Sequence, residues 1–427
     1  MRTRISNGRV IDPANGLDKI MDVYIAEGKI VALDIAPEGF RADSTIDATG
    51  QIVCPGLVDL RARLREPGQE HKGTIASETS AAASGGITTL CCPPDTDPVV
   101  DTPAVVELIR DRAEEVGKCR VVTLGALTEG LQGSQLSEMD ALKRAGCIGV
   151  SNAYEPIQNT QVIRRALEYA ASLNLTVFIH PEDHWLRNGG CAHEGTISSR
   201  LGLSGIPECA ETIALVRDLM LVEQAGVKAH FCQLSNARSV KILARAQYDG
   251  LPVTADVTAH QLHLTEMDIG DFNANCHVRP PLGTQRDREG LISGLIQGAL
   301  TAICSDHQPH DIDAKLAPFP ETEPGISAFE TLLPLSLRVG EENNISTVDL
   351  LAKLTIQPAQ ILGLEAGTLT PGSKADICIF DPNRYWTLSE DKILSRGHNT
   401  PFIGWDLKGK VTHTLLEGKL VYTWDER

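Results

Sequence analysis

The chain has 427 residues, with 39 basic and 56 acidic side chains and a formal net charge of −17. So acidic a balance excludes a general nucleic-acid binder, and 42% apolar residues with 22% charged exclude a disordered chain. The length suits one large domain plus a small one, because barrels often run to ~250 residues as a single unit.

The amino terminus, Met1 to Asp12, is basic but has no apolar segment behind it, and no run approaches ~18 apolar residues. A cytoplasmic chain with no membrane segment is therefore expected. Short β elements follow at Gly8 to Ile11, Val23 to Ala26 and Lys29 to Leu33, separated by Asn-Gly and Glu-Gly turn signals. From Ile52 to about Leu364 the texture changes. Apolar runs at Val53 to Leu57, Thr88 to Cys92, Val121 to Leu124, Ile148 to Val150, Thr176 to His180, Lys228 to Leu234, Val253 to Val257 and Ala299 to Cys304 read as strands. Between them, helical patterns span Pro103 to Val116, Gln161 to Leu173, Cys209 to Ala225, Ser239 to Gln247 and Arg286 to Leu295. Strand and helix alternating about eight times predict an α/β fold, a (β/α)8 TIM barrel whose chemistry sits at the carboxyl ends of its strands. The last ~60 residues return to short β elements, as in Ile377 to Asp381. Eleven cysteines stand mostly singly and form no CxxC pair, which predicts reduced, buried thiols.

After the first barrel strand comes Asp59-Leu60-Arg61-Ala62-Arg63-Leu64-Arg65-Glu66-Pro67-Gly68. Extended backbone would put Asp59, Arg61, Arg63 and Arg65 on one face and Leu60, Ala62 and Leu64 on the other. The three guanidiniums mark either an exposed basic edge or the barrel mouth.

The segment PGLVDLRARLREPG resembles the PGxxDxHxHxREPG pattern of the cyclic amidohydrolases, dihydroorotase above all. Further matches run in register: GGITT at Gly85 to Thr89, HPED at His180 to Asp183, GIPECAE at Gly205 to Glu211, DVTAHQLHLTE at Asp256 to Glu266, SDHQPH at Ser305 to His310 and NTPFIGWDLKGKV at Asn399 to Val411. The resemblance implies a barrel over residues 55–364 and a small β-sandwich domain built from both termini, 1–54 with 365–427.

The family's chemistry implied by the resemblance is zinc-activated hydroxide attack on a cyclic amide, with an aspartate relaying the proton. Its ligand positions fall on Arg61, Arg63, Asn152, His180, Gln233 and Asp306. Arginine has five donors and no acceptor, so it ligates no cation. Each guanidinium also repels a dication by several kcal/mol even at an effective dielectric of ~20. Asn152 carries no charge to bridge two metals, and Gln233 stands where HxCHxS has its second histidine. His180 and Asp306 are retained. Among substrate positions Arg65 matches, whereas Asp95 replaces the neutral amide of Pro-Asn-Thr, and Arg279-Pro280-Pro281-Leu282-Gly283 departs from Asn-Pro-Pro-Leu-Arg.

These departures predict loss of the family zinc, no cofactor and no catalysis. His180 and Asp306 are expected as buried polar residues, with Asp306 the counter-ion of Arg61 and Arg63. His307 and His310 are expected to be structural, His230 a core histidine, and Gln233 a hydrogen-bonding replacement for a ligand. Inactive chains of this type accompany aspartate transcarbamoylase, so the resemblance implies its catalytic chains as partners in pyrimidine biosynthesis, with a homodimer inside a larger hetero-oligomer. Two alternatives stay open. One is an active cyclic amidohydrolase with a metal on His180, Asp306 and His307 or His310. The other is an anion-binding regulatory subunit using Arg61, Arg63 and Arg65, unless Asp306, Glu182 or Asp95 already neutralises them.

Overall fold

The computed structural model describes residues 1–424. In chain order the strands are β1 (Arg2–Asp12), β2 (Leu17–Ala26), β3 (Lys29–Leu33), β4 (Ser44–Asp47), β5 (Ile52–Pro55), β6 (Leu57–Asp59), β7 (Ile87–Cys92), β8 (Arg120–Ala126), β9 (Gly149–Ser151), β10 (Thr176–Ile179), β11 (Ala192–His193), β12 (Gly205–Ile206), β13 (Ala229–Phe231), β14 (Val253–Thr258), β15 (Ala302–Cys304), β16 (Ile377–Thr387), β17 (Asp406–Leu416) and β18 (Lys419–Thr423).

Eight parallel strands, β6-β7-β8-β9-β10-β13-β14-β15, make the (β/α)8 barrel. A second, mostly antiparallel sheet runs β18-β17-β16-β5-β1-β2-β3, with β4 on β1, so both chain ends build it. Its inner side chains Ile5, Val10, Val23, Val53, Ile377, Ile379 and Leu415 bury one another in a separate core. A two-residue ribbon joins β11 and β12.

The run Val53 to Leu57, read above as one strand, is two strands in two sheets. Pro55 ends β5 and Leu57 starts β6, with Gly56 as the joint. A Cβ on Gly56 would fall 2.1 Å from the Thr88 hydroxyl oxygen, so only glycine lets the chain pass here. Helix boundaries follow local chemistry. Pro103 opens Pro103–Val116, where its missing N–H costs nothing, and left-handed Gly117 closes it. The Asn236 side chain accepts from the Ser239 N–H at 2.8 Å to start Ala237–Tyr248.

The barrel seam is closed at the carboxyl end of its first and last strands. Ala62 bridges to His307, and the Arg63 N–H donates to the His307 carbonyl at 2.9 Å. Asp59, fully buried, accepts from the Ser305 N–H at 2.8 Å and from its hydroxyl. The segments that lock the seam therefore also carry Arg61, Arg63 and Asp306. All eleven cysteines are free thiols, and only Cys209 is not fully buried. Among the described residues, no helix is long and apolar enough to cross a membrane.

Candidate functional site

Beyond β6 the chain stays extended long enough to bury Leu60, Ala62 and Leu64 in the core. Arg61 and Arg63 thereby turn into the barrel mouth, where they are 4% and 5% exposed. The basic-edge alternative is thus excluded. The four-residue face does not hold as a unit. Asp59 is committed to Ser305, and its carboxyl is pushed up to about 7 by burial. Arg65 adopts φ 65, breaks the alternation and bonds elsewhere.

Arg61 and Arg63 share one oxygen. Arg61 Nε and Arg63 Nη1 each lie 3.4 Å from Asp306 Oδ1. Arg63 also donates to Asp95 Oδ2 through Nε at 2.9 Å and Nη2 at 2.6 Å. Burial pushes the Asp95 carboxyl up, but Arg63 outweighs it and holds the group below its ordinary value. For Asp306 burial wins, and its carboxyl rises despite both arginines. Its second oxygen accepts from the Tyr154 hydroxyl at 2.9 Å and from Gln308 Nε2 at 3.0 Å.

Tyr154 is the organising residue that the sequence reading missed. The guanidinium carbons of Arg61, Arg63 and Arg279 lie 4.4, 4.5 and 4.8 Å from its ring centroid. Three cations against one π system spread their charge where water is excluded. A tyrosine is no metal ligand in the family pattern, so a search for carboxylates near Asn152 passes over it. In the sequence Tyr154 stands in Ser-Asn-Ala-Tyr-Glu-Pro, far from the arginines it meets, so no local signal marked it. Arg279 pairs with Glu182 through Nε at 3.1 Å and through Nη2. Burial would raise Glu182, but neighbouring His180 and Arg279 hold it at about 2. Glu182 therefore neutralises Arg279, while Asp306 and Asp95 take Arg61 and Arg63.

The other positions separate. Asn152 turns out of the mouth, accepting from the Thr128 hydroxyl at 2.7 Å and donating to the Leu131 and Glu155 carbonyls. Arg65 donates to the Pro309 carbonyl at 3.0 Å and Gln69 Oε1 at 3.2 Å, and lies 3.0 Å from His310 Nε2. His307 pairs with buried Glu78 at 2.8 Å and stacks on Phe329. His180 stays beside the Tyr154 ring, 4.6 Å between centroids, with Glu182 beyond hydrogen-bond distance at 3.9 Å. The expectation that Gln233 hydrogen-bonds through its side chain is corrected. Neither amide atom has a partner among the described residues, and it is the Gln233 backbone N–H, not the side chain, that donates to Asp256 Oδ1, at 2.6 Å.

At the positions where family resemblance places zinc ligands, the residues do not fit a metal pair. Two are guanidiniums without lone pairs, and Asp306 already has four neighbours drawing on its oxygens. The expectation of no metal or cofactor in the chain is nevertheless corrected one layer deeper. Buried His230, Cys232 and Asp256 bring one ligand atom each within 4.8 Å of one another, and these are residue types that zinc takes. His230 is thus more than an isolated core histidine, with Nε2 3.0 Å from Asp256 Oδ2 and Nδ1 2.8 Å from the Thr254 hydroxyl.

Two buried histidines, His260 and His277, are expected to make stability fall in acid. Burial lowers His260 to about 3 and His277, with Lys315 adding to it, to about 4. Their unfolded value is near 6.5, so between pH ~6.5 and those values the unfolded chain binds more protons and stability falls as pH falls. From pH 7 to 5 each is expected to remove about 2 kcal/mol. Urea midpoints across that range measure it, and a flat profile would show these rings titrating normally.

Comparison with known proteins points to the same family. Residues 50–239 match the family described as Dihydro-orotase-like, and residues 326–422 match the Amidohydrolase family. A dihydroorotase-like protein of Pseudomonas aeruginosa is 51% identical, covering 99% of this chain and 100% of its own. A dihydroorotase of Geobacter metallireducens is 41% identical over 99% and 100%. Among solved structures, L-hydantoinase (dihydropyrimidinase) from Arthrobacter aurescens superposes with a TM-score of 0.88 at 22% identity, over 99% of this chain and 96% of that one.

Proposed function

Because the chain belongs to the dihydroorotase-like family of the amidohydrolases, we propose that it is a non-catalytic member acting as an assembly subunit. One observation carries this reading. Where the family holds paired histidines, Arg61 and Arg63 lie buried, paired with the retained Asp306 and packed on Tyr154. Hydrolysis needs a polarised carbonyl and a water made nucleophilic near neutral pH. Guanidiniums can polarise a carbonyl, but they neither ligate a cation nor accept a proton from water. Asp306, the relay residue of the family, is occupied as a counter-ion instead.

A metal on His230, Cys232 and Asp256 would not rebuild the family centre. Its three residues lie on or just after β13 and β14, and none of them is a ligand position of the family pattern. The alternative of a metal on His180, Asp306 and His307 or His310 loses its geometry, since His307 is bound to Glu78 and His310 to Arg65 and the Pro324 carbonyl.

The proposed partners are aspartate transcarbamoylase catalytic chains, with a homodimer of this protein inside the larger complex. Family resemblance supports the partner. An assembly role is also supported by helix Cys209–Ala225, where Ile213, Val216 and Met220 form an exposed apolar stripe, a kind of surface that subunit contacts bury.

The test supplies zinc, so that metal content does not decide it. The chain, incubated with zinc, is assayed for dihydroorotate hydrolysis and for the reverse cyclisation beside an active dihydroorotase. Rates at the no-enzyme background are expected. Turnover within about 100-fold of the control would sink the non-catalytic reading. Native mass spectrometry with aspartate transcarbamoylase catalytic chains is expected to give a mixed complex, and two separate species would remove the partner.

A further inference from the structure

Three side chains at the barrel mouth leave polar atoms unpartnered although almost no solvent reaches them. Arg61 is 4% exposed and Gln233 1%, and the His180 side chain is 3% exposed. Arg61 Nε and Nη2, both amide atoms of Gln233 and both ring nitrogens of His180 have no hydrogen-bond partner among the described residues. The three are neighbours in the fold. β10 and β13 are adjacent, and the Cys232 N–H donates to the Ile179 carbonyl at 2.8 Å, which sets His180 beside Cys232 and Gln233. Arg61 and His180 both pack on the Tyr154 ring.

Charge says what belongs there. The mouth gathers five guanidiniums, Arg61, Arg63, Arg65, Arg187 and Arg279, against three carboxylates, Asp95, Asp306 and Glu182, the last shared by Arg187 and Arg279. Asp59 gives its oxygens to Ser305, and Glu323 is taken by Lys72. Arg65 meets no carboxylate but spends its N–H groups on Pro309, Gln69 and His310, whereas Arg61 has only a long pairing and leaves N–H groups unused. Arg61 Nε sits 3.4 Å from Asp306 Oδ1, out of line for a hydrogen bond, and Arg63 shares that oxygen. A buried guanidinium with unused N–H groups costs several kcal/mol unless an acceptor meets it. Arg61 Nε and Nη2 offer three N–H donors, to which the Gln233 amide adds two. A water would accept from two donors but bring two of its own and no charge.

We propose that the mouth binds one small monovalent anion, of one to three heavy atoms, between Arg61, Gln233 and His180. The site that holds cations in the family is inverted into an anion site. The burial of all three residues excludes larger occupants such as a nucleotide or carbamoyl aspartate, so the anion serves as a resident counter-ion rather than a substrate. The inference rests on the non-catalytic reading only in treating Arg61 as a permanent resident of the mouth.

The test uses the full chain in a buffer whose only anions are bulky sulfonates. Sodium bromide and sodium formate are titrated in, with sodium sulfate at equal ionic strength as control. Bromide and formate are each expected to raise Tm with the logarithm of concentration above Kd, by about 3–5 °C at a hundredfold excess over Kd. Sulfate at equal ionic strength should give no comparable rise. Arg61→Met should abolish the response, and Gln233→Leu should weaken it about tenfold in half-saturating concentration if Arg61→Met fails to fold. Crystals in bromide should show an anomalous peak in contact with Arg61 and Gln233. No shift beyond that of sulfate, or a peak at crystal concentration alone, an adventitious ion only, overturns the proposal. Activity plays no part in this readout, so the non-catalytic reading and the anion site fail separately.

Discussion

Asp306→Asn is expected to destabilise the folded chain by about 3–5 kcal/mol, the range found when one partner of a buried ion pair is removed. Asp306 is 2% exposed, and its Oδ1 is the carboxylate oxygen common to Arg61 and Arg63. Asparagine keeps the size but not the charge, so both guanidiniums lose a counter-ion that no water can replace. Only Arg63 keeps a second one, in Asp95. Tyr154 and Gln308 also lose a carboxylate acceptor. A double-mutant cycle with Arg61→Met, read by urea midpoints, should show coupling, because removing the cation removes part of the reason for the anion. In an active amidohydrolase the same change would chiefly remove turnover. A loss below ~1 kcal/mol here would mean that Asp306 is not the hub of the mouth.

Glu78→Ala should cost a similar ~3–5 kcal/mol for a different reason. Glu78 is fully buried in helix Ile75–Ser84 and ties two distant segments to that helix. Oε2 accepts from His307 at 2.8 Å and from the Ser395 hydroxyl at 2.6 Å, and Oε1 from the Arg396 N–H at 3.1 Å and the Ser77 hydroxyl at 2.7 Å. Burial would raise this carboxyl, but His307 and the hydroxyls outweigh it, so it stays ionised at neutral pH. Alanine strands these donors in the interior. The segment from Ser395 to Asn399 should then open first, since Asn399 clasps the mouth through the Gln308 and Gly325 carbonyls and the His310 N–H. Hydrogen exchange should show protection lost there and around His307 before the β-sheet domain is affected. A uniform loss over the chain would contradict this clasp.

Much of the barrel was legible because its strands and amphipathic helices carry strong local patterns. Cys209–Ala225 was read to the residue and Pro103–Val116 likewise, since proline and glycine punctuate the latter. Helix Ile75–Ser84 was not read. Its Ile-Ala-Ser-Glu-Thr-Ser-Ala-Ala-Ala-Ser sequence has small residues all round, because it packs on several sides and has no polar face to contrast with. Helix Phe329–Glu342 hid behind Pro334, which its tertiary setting tolerates.

At the site, the sequence by itself determined which functional groups stand along the barrel strands. A guanidinium cannot become a ligand in any fold, so the departure of Arg61 and Arg63 from the family pattern needed no coordinates. Only tertiary structure decided what those groups meet. Arg63 and Asp95 are thirty-two positions apart, and Arg63 and Asp306 two hundred and forty-three. Their pairing is made by closure of the barrel, which no local pattern encodes. The same closure set Tyr154 under three guanidiniums, grouped His230 with Cys232 and Asp256, and left Arg61, His180 and Gln233 with unused polar atoms. Residue chemistry is a property of the chain. Charge balance in a buried space belongs to the fold, because distance and solvent exclusion decide it.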